Sequence, residues 1–228
     1  MVVRECARAC VRRMLGEEGA AGGSRDALER VEGGSDFSRL SVRELLGRLF
    51  ACQEARAATY AAWEAAFKGY LGAGPRGEAG YVHATRECTA RFGVASADVI
   101  EVETVLRDER GLEALAGLVR NLQERERTKL QLTVASHVYR QKVLGIKARV
   151  DAGLPVDGCG HRHEGFNGAQ SHAEAAGRGE DGGLVVGGVG AMEAAQEQVA
   201  EATRVMAEIV DGINEVLDEL RCEMEDLE

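Results

Sequence analysis

Cys159-Gly-His161-Arg-His163, with His172 nine residues further on, is the sharpest chemical cluster in the sequence. A thiolate and imidazoles at such close spacing form a soft donor set of the kind that holds zinc. Structural zinc sites usually draw two ligand pairs from a folded knuckle, whereas this cluster lies in glycine-rich sequence. Cys159, His161 and His163 therefore stand as a weak metal candidate, with incidental composition the favoured account. A Cys–His nucleophile would need Cys52 or Cys88 beside His83 or His137. Both cysteines fall on apolar helical faces, where a thiol behaves as a small buried hydrophobe. Neither a dinucleotide-binding fingerprint nor a P-loop is present, and no strand precedes any glycine run. No catalytic residue, cofactor or small-molecule substrate is expected.

Two further groups could bind rather than react. Trp63, Phe67 and Tyr70 have the types of a base-stacking platform, but they continue a stripe that carries Leu45 and Leu49, so core is the stronger reading. Arg120, Arg125, Arg127, Lys129, Arg140, Lys142, Lys147 and Arg149 could contact phosphates. The competing reading is a solvated helix flank, because Glu124 and Glu126 lie at intrahelical pairing distance. Arg120, Arg125, Lys129, Arg140 and Lys142 are taken as the candidate interaction surface. The chain's own acidic C-terminal helix is the expected occupant, with repair or scaffold proteins and weak DNA contact as competitors, since no helix-turn-helix, finger or sheet-based reader accompanies the cations.

The elements that must position these residues are helical. Only two prolines, Pro75 and Pro155, occur in 228 residues, so long helices are permitted almost everywhere. Ser41 with Glu44 three residues later forms a capping box, and Leu40 can staple onto Leu45. From there Leu45, Leu49, Cys52, Arg56, Tyr60, Trp63, Phe67 and Tyr70 recur at three- and four-residue steps until GAGPRG, residues 72–77. A shorter helix is expected from Tyr81 to Phe92. A third would be capped by Ser96 and carry Val99, Val102 and Leu106, and a fourth would run from Gly111 to about Val150. The fold class expected is all-α, a helical bundle with long antiparallel or coiled-coil helices.

Residues 1–39 read as a flexible arm. Its start, MVVRECARACVRRML, has the arginines of an organelle presequence, but Glu5, Glu17 and Glu18 and the scarcity of serine argue against targeting. Residues 40–150 form the helical domain. Residues 151–190 hold twelve glycines and read as a disordered linker, too poor in apolar surface to offset its ordering entropy. Residues 191–228 show a heptad, Met192, Val199, Met206, Ile213, Leu220 and Leu227, with Ala195, Ala202, Ile209 and Val216 in the second seam position. That last segment carries twelve acidic residues against two basic ones, while residues 120–149 carry eight basic against two acidic. The opposite charges suggest either mutual docking or two separate partners. No apolar run reaches the ~18 residues that cross a bilayer. Six scattered cysteines with no secretory signal indicate a reducing compartment, cytosol or nucleus.

Three stretches then share an ordered pattern. LLGRLFACQEARAATYAAWEAAFKGYL, residues 45–71, presents Gln53, Arg56, Tyr60, Phe67, Tyr70 and Leu71. ECTARF follows with Glu87, Thr89 and Phe92, and LQERERTKLQLT with Gln123, Glu126, Lys129, Leu130, Leu132 and Thr133. The series over residues 41–145 resembles the Required-for-excision-1 B (REX1-B) family, departing from it at Trp63, where phenylalanine is usual, at Thr128 and in the glycine-rich insert. The resemblance implies a nuclear, non-enzymatic role in DNA excision repair, particularly of ultraviolet photoproducts, through contacts with repair or scaffold proteins. It supplies no catalytic residue. The alternative is a structural coiled-coil subunit of a cytoplasmic complex.

Overall fold

In a computed structural model the described residues are 37–154, 156 and 184–227. They are helical with no strand among them, so the all-α expectation holds. Four long helices carry the fold: α1 (Val42–Ala73), α2 (Glu78–Thr104), α3 (Glu113–Asp151) and α4 (Leu184–Glu225). The chain divides into two compact units. The first holds the described residues up to His137 together with those from Ala202 on, and the second spans Val138–Glu201.

The first helix starts where its capping residues require. Ser41 Oγ accepts the Glu44 N–H at 3.3 Å, and Glu44 Oε2 accepts the Ser41 N–H at 2.8 Å. Two otherwise orphaned donors of the first turn are thereby satisfied. At the other end a single 3-10 turn, Gly74–Gly77 with Pro75 inside it, reverses the chain into α2. The two helices form an antiparallel hairpin, joined across by Arg48–Asp98, Arg56–Ser96 and Trp63–Thr85.

The expected break between residues 92 and 96 does not exist. Residues 78–104 form one uninterrupted helix, and Ser96 is a mid-helix residue whose hydroxyl accepts from Arg56 instead of capping. Gly93 alone costs about 1 kcal/mol of helix propensity, too little to end a helix. Phe92, Ala95 and Val99 are buried on either side of it, so packing carries the helix through. The real interruption comes later, as a π-turn over Val105–Glu109 followed by Gly111 at φ 66°. α4 begins at Leu184, seven residues ahead of the expected Ala191. The stretch read as a linker is helical over its last residues, and 157–183 lie outside the described residues.

Side chains in the first unit sort into three layers along α1, α2 and α3. An aliphatic cluster holds Leu45, Leu46 and Leu49 of α1, Val99, Val102 and Leu106 at the end of α2, and Leu115, Val119 and Leu122 of α3. Ile213, Val216, Leu217 and Leu220 of α4 complete the same cluster. An aromatic cluster at the other end holds Trp63, Phe67, Tyr81, Phe92, Leu130 and Val134. Between them lies a layer of buried polar residues. In the second unit Ile146 and Ala195 are buried.

Candidate functional site

The middle layer is built from residues of α1, α2 and α3. On α1, Gln53 and Arg56 occupy positions of the apolar stripe between Cys52 and Trp63, which forces both into the interior. α2 contributes Ser96, and α3 contributes Gln123 and Glu126 one turn apart. Arg56, only 3% exposed, donates through Nη2 to Gln123 Oε1 at 2.6 Å and to Ser96 Oγ at 3.0 Å. Gln123 Nε2 donates in turn to the Ser96 carbonyl at 3.3 Å. Gln53, with its amide turned to satisfy both neighbours, accepts from Arg56 Nη1 at 2.9 Å and donates to Glu126 Oε1 at 3.1 Å.

Gln53 is thus an amide bridge between a buried cation and a buried anion. Its carbonyl faces the guanidinium and its amino group faces the carboxylate, so the amide dipole is aligned with the field of both charges. Glu126 also receives the Tyr60 hydroxyl at 3.4 Å and lies 3.5 Å from Lys129 Nζ. The Lys129 ammonium sits over the Tyr60 ring, 4.3 Å from its centroid. Burial lowers the Arg56 pKa, opposed by the Glu126 charge. Burial, with the same carboxylate second, raises the Tyr60 phenol well above its usual range. Every buried side-chain polar atom among the described residues has a partner. Such a network fixes the register of three helices against one another, because a slip in any of them would leave a charge buried and unpaired.

The aromatic layer contains a second directional chain. His137 Nδ1 lies 2.9 Å from the Tyr81 hydroxyl, and its Nε2 lies 3.2 Å from Glu64 Oε2. The imidazole stacks on Phe67 at 3.9 Å between centroids and meets Trp63 edge-on at 5.1 Å. Trp63 donates its indole N–H to Thr85 Oγ1 at 3.0 Å. Trp63 and Phe67 are almost wholly buried, so they are core and not a stacking platform.

Residues 44–140 match the profile of the DNA repair REX1-B family. Over that segment the chain is similar to the family. Comparison with curated proteins and with solved structures finds no match. The name of the family indicates DNA repair, and the REX1-B pattern has a physical reading in the seam just described. Gln53, Arg56, Tyr60, Gln123, Glu126 and Lys129, far apart in sequence, meet in one hydrogen-bonded and electrostatic network.

The candidate surface residues of the chain have several fates. Arg120 reaches across to Glu103 of α2, its Nε 2.9 Å from Oε1, and Arg107 donates to the same oxygen at 3.0 Å. Arg125 donates through Nε to Asn121 at 2.8 Å and lays its guanidinium on Gly212 of α4, where any added Cβ would come within 2.8 Å of Cζ. Lys129 is mostly buried in the seam. Arg140 and Lys142, both half-buried, belong to the other compact unit. Cys159, His161, His163 and His172 lie outside the described residues.

Cys52 is buried, its thiol pKa raised by that burial first and by the Asp98 charge second. Cys88 is buried too and donates to the Thr59 carbonyl at 3.8 Å. Buried Glu103, the shared partner of Arg107 and Arg120, escaped the sequence reading. Its signal was a carboxylate directly after Val102 on an otherwise apolar helix flank.

Proposed function

We propose that the chain is a non-enzymatic accessory factor in DNA excision repair, serving ultraviolet photoproduct removal through contacts with other proteins in the nucleus. The observation that supports this reading is how the family's residues are used. The side chains that carry the pattern hold the helices to one another inside the bundle, and their protonated or charged forms are committed to internal partners. What such a fold offers a pathway is a helical scaffold with surfaces for partners. The heptad of α4, which raised the rival idea of a coiled-coil subunit, has Ile213, Val216 and Leu220 buried in the chain's own aliphatic cluster.

Disrupting the gene and following ultraviolet photoproducts in genomic DNA tests the proposal. Clearance is expected to slow, and to recover when the wild-type chain is restored. Clearance at the normal rate in the knockout rejects the repair role.

A further inference from the structure

Two helix ends in this molecule share one device. After the π-turn, Gly111 takes φ 66° and the Leu112 N–H donates to the Leu106 carbonyl at 2.9 Å. At the end of α3, Gly153 takes φ 64° and the Leu154 N–H donates to the Arg149 carbonyl at 2.9 Å, with Gly153 N–H on Val150. In both, a glycine in the left-handed region turns the chain and delivers a leucine at a defined place. Leu112 uses that place to pack against the aliphatic cluster. Leu154 does not: it stays 55% exposed, as do Val150 at 48% and Leu144 at 42%. These three make up half of the six large hydrophobic side chains left exposed among the described residues, and they fall within eleven residues of sequence.

Their surroundings say what could cover them. Leu144, Lys147 and Val150 follow one another at three-residue steps, which spreads them over an arc of about 120° with the cation in the middle. Arg140 lies on the line of Lys147, two turns earlier. Residues 138–154 include four cations, Arg140, Lys142, Lys147 and Arg149, and a single anion, Asp151. A bilayer wants an unbroken apolar face, and a cation between two aliphatic side chains interrupts it. A phosphate backbone would meet the cations but leave the aliphatic groups in water. A helix with carboxylates between aliphatic side chains at three- and four-residue spacing matches both.

We infer that the tail of α3, through Leu144, Lys147, Val150 and Leu154, is a docking surface for an acidic amphipathic helix of a protein partner. The inference rests on the reading of the chain as a protein-binding factor and names the chemistry of the segment it receives. Burial of the three aliphatic side chains supplies affinity, while the Lys147 ammonium selects carboxylate over cation and sets the helix register.

The test uses the full chain and a labelled synthetic peptide of about 18 residues, long enough to span the tail, with leucines at helical spacing and glutamates between them. Fluorescence anisotropy should show saturable binding. Lys147→Glu should weaken it by about tenfold or more and favour the version of the peptide with lysine in place of glutamate. Leu144→Ser with Leu154→Ser should weaken both, and neither variant should shift the melting temperature, because the side chains are exposed. The inference is overturned if the acidic peptide does not bind, or if Lys147→Glu binds it unchanged. It is also overturned if a DNA duplex or anionic phosphatidylserine vesicles bind more tightly than the peptide. Dimerisation in sedimentation that Leu154→Ser abolishes would overturn it too, by making a second copy the occupant. Photoproduct clearance in cells reads the repair role separately, so the failure of one is not the failure of the other.

Discussion

The aliphatic and aromatic ends of the first unit are cores of similar burial built on opposite principles. At the aliphatic end Leu45, Leu46, Leu49, Val99, Val102, Val119 and Leu220 fill space and ask nothing of one another's orientation. At the aromatic end Trp63, Tyr81 and His137 each hold a hydrogen bond, to Thr85, His137 and Glu64, while their rings stack or meet at edges. The first kind of core is specified by volume and tolerates exchange of similar hydrophobes; the second is specified by direction as well. The polar seam separates them and has the strictest demands of the three layers. The contrast teaches where this fold keeps its uniqueness, which is in the half that sequence statistics would rate as less hydrophobic.

The largest effect that bears on this contrast belongs to the seam. Arg56→Met keeps the length of the side chain and removes its charge, leaving Gln53, Gln123 and Ser96 without their buried donor and Glu126 without the cation beyond the Gln53 bridge. The expected loss is about 3–5 kcal/mol in urea denaturation. Adding Glu126→Leu should restore part of it, since the buried carboxylate, left with Lys129 as its nearby cation, is then gone. A loss under 1 kcal/mol would mean that water enters the seam and that its charges are not truly paired.

A smaller, paired experiment tests the two cores directly. Trp63→Phe, which installs the residue usual in the family, shrinks the ring and removes the donor to Thr85, and should cost about 1–3 kcal/mol. Leu46→Met at the aliphatic end conserves volume and should cost less than about 1.5 kcal/mol. Both side chains are essentially inaccessible to solvent, so the difference reads direction and not burial. Equal costs, compared by the shift in urea midpoint, would erase the distinction between the cores.

Much of this organisation could be read in the sequence, and the rest was hidden for identifiable reasons. Helix α1 declared itself through Ser41, Glu44 and the stripe from Leu45 to Tyr70. Arg56 inside that stripe was already a sign of a buried charge. The end of α3 was legible within a residue or so. Ser96 misled because serine before an apolar run is a good N-cap, and only its distance from Arg56 in space shows that it is an acceptor. Gln123 and Glu126 stood in a stretch so rich in charge that it read as an interaction surface, with a solvated flank the competing reading. Nothing local marks which of its ten charges faces inward, because that choice is made by Gln53 and Arg56, some 70 residues away. Within the basic surface the same long-range choice shows, with Arg120 pairing with Glu103 and Lys129 with Glu126.

The smallest expected effect sharpens the comparison at the aliphatic end, at the capping box that starts α1. The Ser41 N–H and hydroxyl both donate to the Glu44 carboxylate, each at 2.8 Å, and these bonds lower its pKa below the ordinary carboxylate range. A carboxylate whose pKa is lower in the folded chain than in the unfolded one adds stability above the unfolded value. That contribution fades as pH falls through the folded value. Glu44→Gln keeps a side chain able to accept the same bonds and removes only the charge, including its attraction to the helix N-terminus. The melting temperature of the variant should therefore sit below that of the parent near neutral pH, and the two should converge in acid once Glu44 is protonated. A gap that persists unchanged below the carboxylate range would show that the glutamate acts through packing. The capping box would then lend that end no charge-dependent direction, and the contrast between the two cores would be sharper.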